Sequence, residues 1–193
     1  MRLEILNKGY SAITKMLFAI IKMFSRYPLP DAAKLIFYRS DFYGTPMKKF
    51  THKAMRGPSL WSVGDRELMA AYISSLNECT FCIKAHSAVA ARAYNDRVKV
   101  DNVLADLKTA PINEPLRATL YMLGKLTREN SINAGDIRKV MDNNVIPQQI
   151  EDALVVCFAF NITNRLSDTF GFFVPSRDAF EAGAKYLLKR GYQ

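Results

Sequence analysis

Apolar residues recur along much of this chain at spacings of three and four, the period of a helix that buries one face. Between Asp65 and Ala110 there is neither Gly nor Pro, and two helices fit that stretch better than one. Leu68, Ala71, Tyr72 and Leu76 form a first stripe, and Ile83, Ala90 and Ala93 belong to a second. Asn77, Glu78, Cys79 and Thr80 between them are weaker helix formers, and Thr80 can cap the second start. Further helices are predicted over 101–108, 114–129, 136–143, 147–170 and 176–189. Their start signals are Asn113 ahead of Glu114-Pro115, Pro147 in a first turn, and Ser176 after Pro175.

The leading part of the chain is patterned differently. Ile13, Leu17, Ile20, Ile21 and Phe24 stand at helical spacing within a helix expected over 10–25, which Tyr27-Pro28-Leu29-Pro30 ends. A shorter helix is expected over 31–39. Tyr43-Gly44-Thr45-Pro46 and Gly57-Pro58-Ser59 then punctuate a connecting stretch. The run Met16–Phe24, interrupted by Lys22, falls short of the ~20 apolar residues that a membrane span requires. Nor does it read as a secretory signal, which would carry an uninterrupted apolar run and a small-residue cleavage site. The pattern favours a stripe packed on a core over a helix lying in a membrane surface. The chain thus divides into a basic helical extension, 1–56, and a chemical domain, 57–193.

Composition supports the helical reading: 49% of the 193 residues are hydrophobic, with only nine Gly and eight Pro. That is ordinary for a globular chain and disfavours sandwiches, barrels and doubly wound nucleotide folds. The formal charge of +9 raises the question of nucleic acid. Its distribution answers it. Residues 1–58 hold eleven Lys or Arg and three acids, net +8, while residues 59–193 are net +1. The basicity belongs to the extension, and no nucleic-acid partner is expected.

Three cysteines, Cys79, Cys82 and Cys157, cannot build a disulfide scaffold, and their odd number points to a reducing, cytoplasmic setting. Cys157 lies in the apolar run Leu154–Phe160 and reads as a small buried hydrophobe. His52 follows a basic stretch with no evident partner and is expected to be exposed. Cys79 and Cys82 differ, because His86 stands four residues after the second. At ~100° per residue all three fall in a narrow sector of one helix face. If the chain reverses near Asn77, Glu67 on the preceding helix lies nearer the level of His86 than that of Cys79. A carboxylate that orients an imidazole lets the imidazole withdraw a proton from a thiol, and the thiolate is the nucleophile. Oxidation by a peroxide to sulfenic acid, then condensation with a second thiol, completes a peroxidase cycle.

Glu67, Cys79-x-x-Cys82 and His86, at these spacings, resemble the active-site signature of the AhpD-like alkylhydroperoxidases of the carboxymuconolactone decarboxylase superfamily. The flanking segments Gly57-Pro58-Ser59-Leu60 and Val63-Gly64-Asp65-Arg66-Glu67 are similar as well, as is Asn161-Ile-Thr-Asn164-Arg165-Leu-Ser-Asp168 of the peroxidase-related branch. The resemblance covers about residues 57–175. It implies an all-α, AhpD-like helical bundle, with the N-terminal helical extension outside the likeness. It further implies a hydroperoxide substrate, Cys82 as the attacking thiol, Cys79 as the resolving thiol, His86 as base and Glu67 at the start of a proton relay. Regeneration by an external dithiol, with a lipoyl-bearing protein as the family precedent, and a homo-oligomeric assembly also follow from it. No cofactor or metal is implied. Some relatives carry His immediately before the second cysteine, where this chain has Phe81, so a relay through that position is absent.

Other readings of the same residues are weaker. Zinc could be ligated by these residue types, but structural zinc pairs sit on knuckles and loops rather than along a helix face. A thiol–disulfide relay or redox sensor without peroxidase turnover needs the same cysteines, whereas a non-redox carbon-acid enzyme of the decarboxylase branch needs neither. A helix terminus favours Cys79 as the low-pKa thiol and His86 at the fourth position favours Cys82; the histidine is followed here. Asn161, Asn164, Arg165 and Asp168 are expected to satisfy a buried Arg165–Asp168 pair, in preference to lining the pocket over the thiols.

Overall fold

The structure, a computed structural model, describes residues 4–38 and 40–192, apart from the side chain of Phe42. Arg39, the expected last residue of the second leading helix, lies outside the described residues. Eleven α-helices and no strand are formed among them: α1 (Ile5–Lys8), α2 (Ala12–Ser25), α3 (Asp31–Tyr38), α4 (Thr45–Arg56), α5 (Val63–Leu76), α6 (Thr80–Tyr94), α7 (Arg97–Ala105), α8 (Glu114–Glu129), α9 (Ala134–Met141), α10 (Pro147–Phe170) and α11 (Arg177–Arg190). A π-helical turn, Ser40–Gly44, joins α3 to α4.

The expected start signals act locally. The Asn113 side chain accepts the Leu116 N–H at 3.0 Å, the Ser176 hydroxyl accepts the Ala179 N–H at 3.4 Å, and Pro147 is the first residue of α10. α5 begins on a reciprocal box in which Ser62 and Asp65 each accept the other's backbone N–H at 3.0 Å. The helix expected over 101–108 begins earlier, because the Asp96 side chain caps it by accepting the Lys99 N–H at 2.9 Å.

α5 runs through the middle of the bundle, with ten of its fourteen residues buried, among α4, α6, α8 and α10. Leu68, Met69 and Ile73 pack there with Leu116, Leu120 and Leu123 of α8 and with Val156 and Phe160 of α10. Gly64 allows the Tyr94 ring to lie against α5; a Cβ at this position would come within 2.7 Å of that ring.

The leading segment is embedded in the body at both ends. Ala54 and Met55 of α4 join the main core. The buried Asp31 carboxylate accepts the Phe173 N–H at 2.8 Å and pairs with Lys34, tying α3 to the stretch after α10. α2 does not follow the expected core packing. Of its apolar stripe only Ile21 is half-buried, as are Thr14 and Phe18 beside it. Phe18 packs edge-on against Tyr10 and against Phe37 of α3. Ile13, Leu17, Ile20 and Phe24 are exposed. The helix carries apolar residues over more of its circumference than one neighbouring surface can cover, so the body takes one side and leaves the other to solvent.

Candidate active site

α5 closes on a left-handed turn that also starts α6. Glu78 takes φ 57°, its N–H donates to the Ser75 carbonyl, and the next N–H, that of Cys79, reaches back to the Ser74 carbonyl at 3.0 Å. This is the Schellman arrangement, made with Glu where Gly is usual. Cys79 thereby ends one helix and is the N-terminal cap of the next, with Thr80 as the first residue of α6. The reversal sets α5 and α6 side by side, and Glu67 and His86 meet across them: His86 Nδ1 lies 2.7 Å from Glu67 Oε2. Both are buried, Glu67 fully.

Two further residues complete this center. Arg56, the last residue of α4, donates through Nη2 to Glu67 Oε1 at 2.7 Å. The Tyr192 hydroxyl, beyond α11, donates to the same carboxylate at 2.9 and 3.1 Å and stands 3.4 Å from His86 Nδ1. Burial alone would raise the Glu67 carboxyl, but the hydrogen bond from His86, followed by the charge and hydrogen bond of Arg56, outweighs it and holds the pKa below its ordinary value. Burial, reinforced by the Glu67 charge, pushes the Tyr192 phenol well up, so it stays a neutral donor. A carboxylate facing Nδ1 assigns the ring proton to that nitrogen and leaves Nε2 as the basic one. The Phe160 ring packs edge-on to the imidazole, with centroids 4.3 Å apart.

Cys79 and Cys82 are both reduced and buried. The hydrogen bond from the Cys82 side chain lowers the Cys79 pKa, assisted by the Ser167 side chain and the Cys82 backbone N–H. The same bond, together with burial, raises Cys82 well above an ordinary thiol. Of the two thiols, the one at the helix start therefore ionises first. Among the described residues no hydrogen bond joins His86 to either cysteine.

An apolar roof covers the pair. Leu6 of α1 and Leu35 of α3 pack with both cysteines, Phe81 and Phe172. Phe81, whose ring meets Phe172 and Phe180 edge-on or tilted, is part of this roof. Tyr43, from the π-helical turn, stands near Cys82, and burial pushes its phenol up to about 12. A cavity of about 430 Å³ between α8 and α9 is lined by none of these residues.

The polar residues of α10 are arranged differently from expectation. Arg165 and Asp168 are exposed, and Arg165 bonds to the Asn161 carbonyl at 2.7 Å rather than forming a buried pair with Asp168. Asn161 donates to the Cys157 carbonyl at 3.1 Å and accepts from Asn77 at 3.1 Å. The groups of α10 that face the thiols are Ser167 and the charge of Asp168. The positions were legible as a polar stripe; which of them turned inward depended on how the α10 axis crosses α6. Cys157 is buried as expected. His52 is half-buried, and its Nδ1 accepts the Tyr192 N–H at 3.2 Å, so it anchors the turn that carries the tyrosine. No group of three or more potential metal ligands is assembled among the described residues.

The all-α bundle has the AhpD-like fold found in peroxidase-related proteins. A solved structure of an uncharacterized peroxidase-related protein from Silicibacter sp. TM1040 superposes with a TM-score of 0.75 at 22% identity, over 89% of each chain. An uncharacterized peroxidase-related protein with the alkylhydroperoxidase AhpD core, from Ralstonia eutropha JMP134, does so with a TM-score of 0.75 at 19% identity over 91% of each. A cysteine-to-alanine variant of the debrominase Bmp8, in complex with 2,3,4-tribromopyrrole, superposes with a TM-score of 0.70 at 14% identity over 91% of each. No family model matches the sequence, and no curated protein matches it either.

Proposed function

We propose that this chain is a thiol-dependent peroxidase that reduces organic hydroperoxides, and hydrogen peroxide with them, through a Cys79/Cys82 dithiol–disulfide cycle. The observation that carries this reading is the buried 2.7 Å Glu67–His86 contact on the same helix pair that presents two reduced cysteines. The fold by itself does not select the substrate, since a debrominase shares it. The choice rests on the relay and on two thiols buried beyond the reach of the surface of a folded protein.

In this mechanism His86, held by Glu67 and Tyr192, is the base for Cys82. No hydrogen bond joins them in the resting structure, so the proton crosses through one water or when the peroxide draws the two groups together. The raised Cys82 pKa is the reason a base is needed at that step. The Cys82 thiolate attacks the terminal oxygen of ROOH; an S–O bond forms, the O–O bond breaks, and the departing alkoxide takes a proton from His86 to leave as ROH. Cys79 then attacks the sulfenic sulfur. An S–S bond forms, the S–O bond breaks, and the hydroxide leaves as water with the Cys79 proton. One hydroperoxide and two thiols become an alcohol, water and a disulfide. An external dithiol resets the pair by exchange, with a lipoyl-bearing protein as the reductant the resemblance implies.

Hydroperoxide consumption with dihydrolipoamide as reductant, in wild type, Cys82→Ser and Cys79→Ser, tests the proposal. The expected result is turnover by the wild type, none by Cys82→Ser, and a single oxidation by Cys79→Ser that stalls at a sulfenic acid captured by a cyclic dione. A wild type that forms its disulfide yet consumes no peroxide would establish the relay reading instead. Stoichiometric zinc that is lost on Cys79→Ser would also overturn the proposal.

A further inference from the structure

α2 is amphipathic with its apolar face turned away from the protein. At 100° per residue Met23, Met16, Ile20, Ile13, Phe24 and Leu17 follow one another around a continuous arc of about 120°. All six are exposed, Ile13 at 77% and Phe24 at 80%. The side that touches the body is a different one, carrying Thr14, Phe18 and Ile21. Lys15 and Lys22 lie roughly opposite the apolar arc, next to the half-buried side. From Ile5 to Pro30 there are four basic residues and no acid.

Charge decides among the possible occupants of this face. Two copies of the chain meeting through α2 would set two net-positive helices against each other with no carboxylate on either to answer the charge. A 14-residue helix is about 21 Å long, and one of its faces buries on the order of 300 Å² a side, about 600 Å² over both copies, half of the roughly 1,200 Å² at the lower end of stable interfaces. An anionic lipid surface satisfies both features, because it takes the apolar arc into its acyl boundary and attracts the uncompensated positive charge of the segment. Among the described residues no helix is long and apolar enough to cross a membrane, so the contact is in the plane of the surface.

We infer that α2 is an interfacial helix through which the protein docks on anionic membranes. The inference is independent of the redox chemistry, although α2 stands in chain order between α1 and α3, whose leucines roof the thiols.

Flotation of the full-length protein with vesicles is the test. Binding is expected to mixed phosphatidylcholine–phosphatidylglycerol vesicles, at least about tenfold weaker to phosphatidylcholine alone, and diminished when salt rises from about 0.1 to 0.5 M. The double variant Ile20→Glu/Phe24→Glu should lose about tenfold or more in binding, with its thermal midpoint and helical signal unchanged. Lys15→Glu/Lys22→Glu should abolish the preference for phosphatidylglycerol. Absence of wild-type binding to the anionic vesicles overturns the inference, as does undiminished binding by Ile20→Glu/Phe24→Glu. A fall in the sedimenting mass of that variant, without any vesicle binding by the wild type, would assign the face to a second copy of the chain.

Discussion

α8 and α2 are both amphipathic helices of similar length, 16 and 14 residues, and their apolar faces meet opposite fates. α8 lays Leu116, Leu120 and Leu123 against α5 and α10, and these side chains are essentially removed from solvent. α2 has no fully buried residue at all. Hydrophobic periodicity states that a face needs cover, and it does not state what the cover is. In α8 the cover is α5 and α10; in α2 none of the described residues covers the outward arc.

The contrast can be broken most sharply in α8. Leu120→Ala removes a wholly buried side chain and should cost about 3 kcal/mol, lowering the thermal midpoint by roughly 6–12 °C. A loss below about 1 kcal/mol would mean that the α8 face is no better covered than that of α2.

The leading segment is not peripheral throughout, and Arg56 separates its two characters. Arg56→Met strips one partner from a buried carboxylate that keeps His86 and Tyr192, so a cost of about 2 kcal/mol is expected in chemical denaturation. The pH dependence follows from the depressed Glu67 pKa. A depressed carboxylate contributes stability that is present above its unfolded value of about 4.3 and is lost as pH falls through the folded value. Wild type should therefore hold this contribution until acid below about pH 4. Arg56→Met, which removes one of the causes of the depression, should begin to lose it at a higher pH. Acid titration followed by circular dichroism checks both, and coincident curves would show that Arg56 does not act on the carboxylate. Tyr192→Phe deletes only the phenol donor and should cost about 1 kcal/mol, with a smaller displacement of the same acid transition.

These two residues also mark where the sequence stops being legible. Glu67, Cys79, Cys82 and His86 declare themselves because one helix period and one tight reversal bring them together, and both are local properties. The caps at Asn113, Pro147 and Ser176 are legible for the same reason. Arg56 reaches Glu67 only because α4 packs on the core through Ala54 and Met55. Tyr192 arrives from 125 residues away, on a turn that His52 holds. Neither position has a periodic or spacing signal, since long-range packing alone creates the contact. The order of ionisation of the thiols was readable as a choice between helix start and histidine. It is resolved toward Cys79 by a hydrogen bond between the two sulfurs and by Ser167 of α10, which no local pattern reveals.

The smallest expected effects lie in α2, and they are the most discriminating. Ile20→Ala and Phe24→Ala each delete a large apolar side chain, a change that costs 2–5 kcal/mol in a core. Here Ile20 is 42% and Phe24 80% exposed, so little area leaves solvent on folding and little is forfeited by truncation. Each substitution should change stability by less than about 0.5 kcal/mol in the protein free in solution, the ordinary range for surface positions. Equilibrium denaturation at protein concentrations spanning about two decades tests this together with the alternative, because a face covered by another copy would make both the midpoint and the cost of substitution depend on concentration. A loss above about 1 kcal/mol that does not vary with concentration would show that α2 is covered within a single chain, and its likeness to α8 would then be restored.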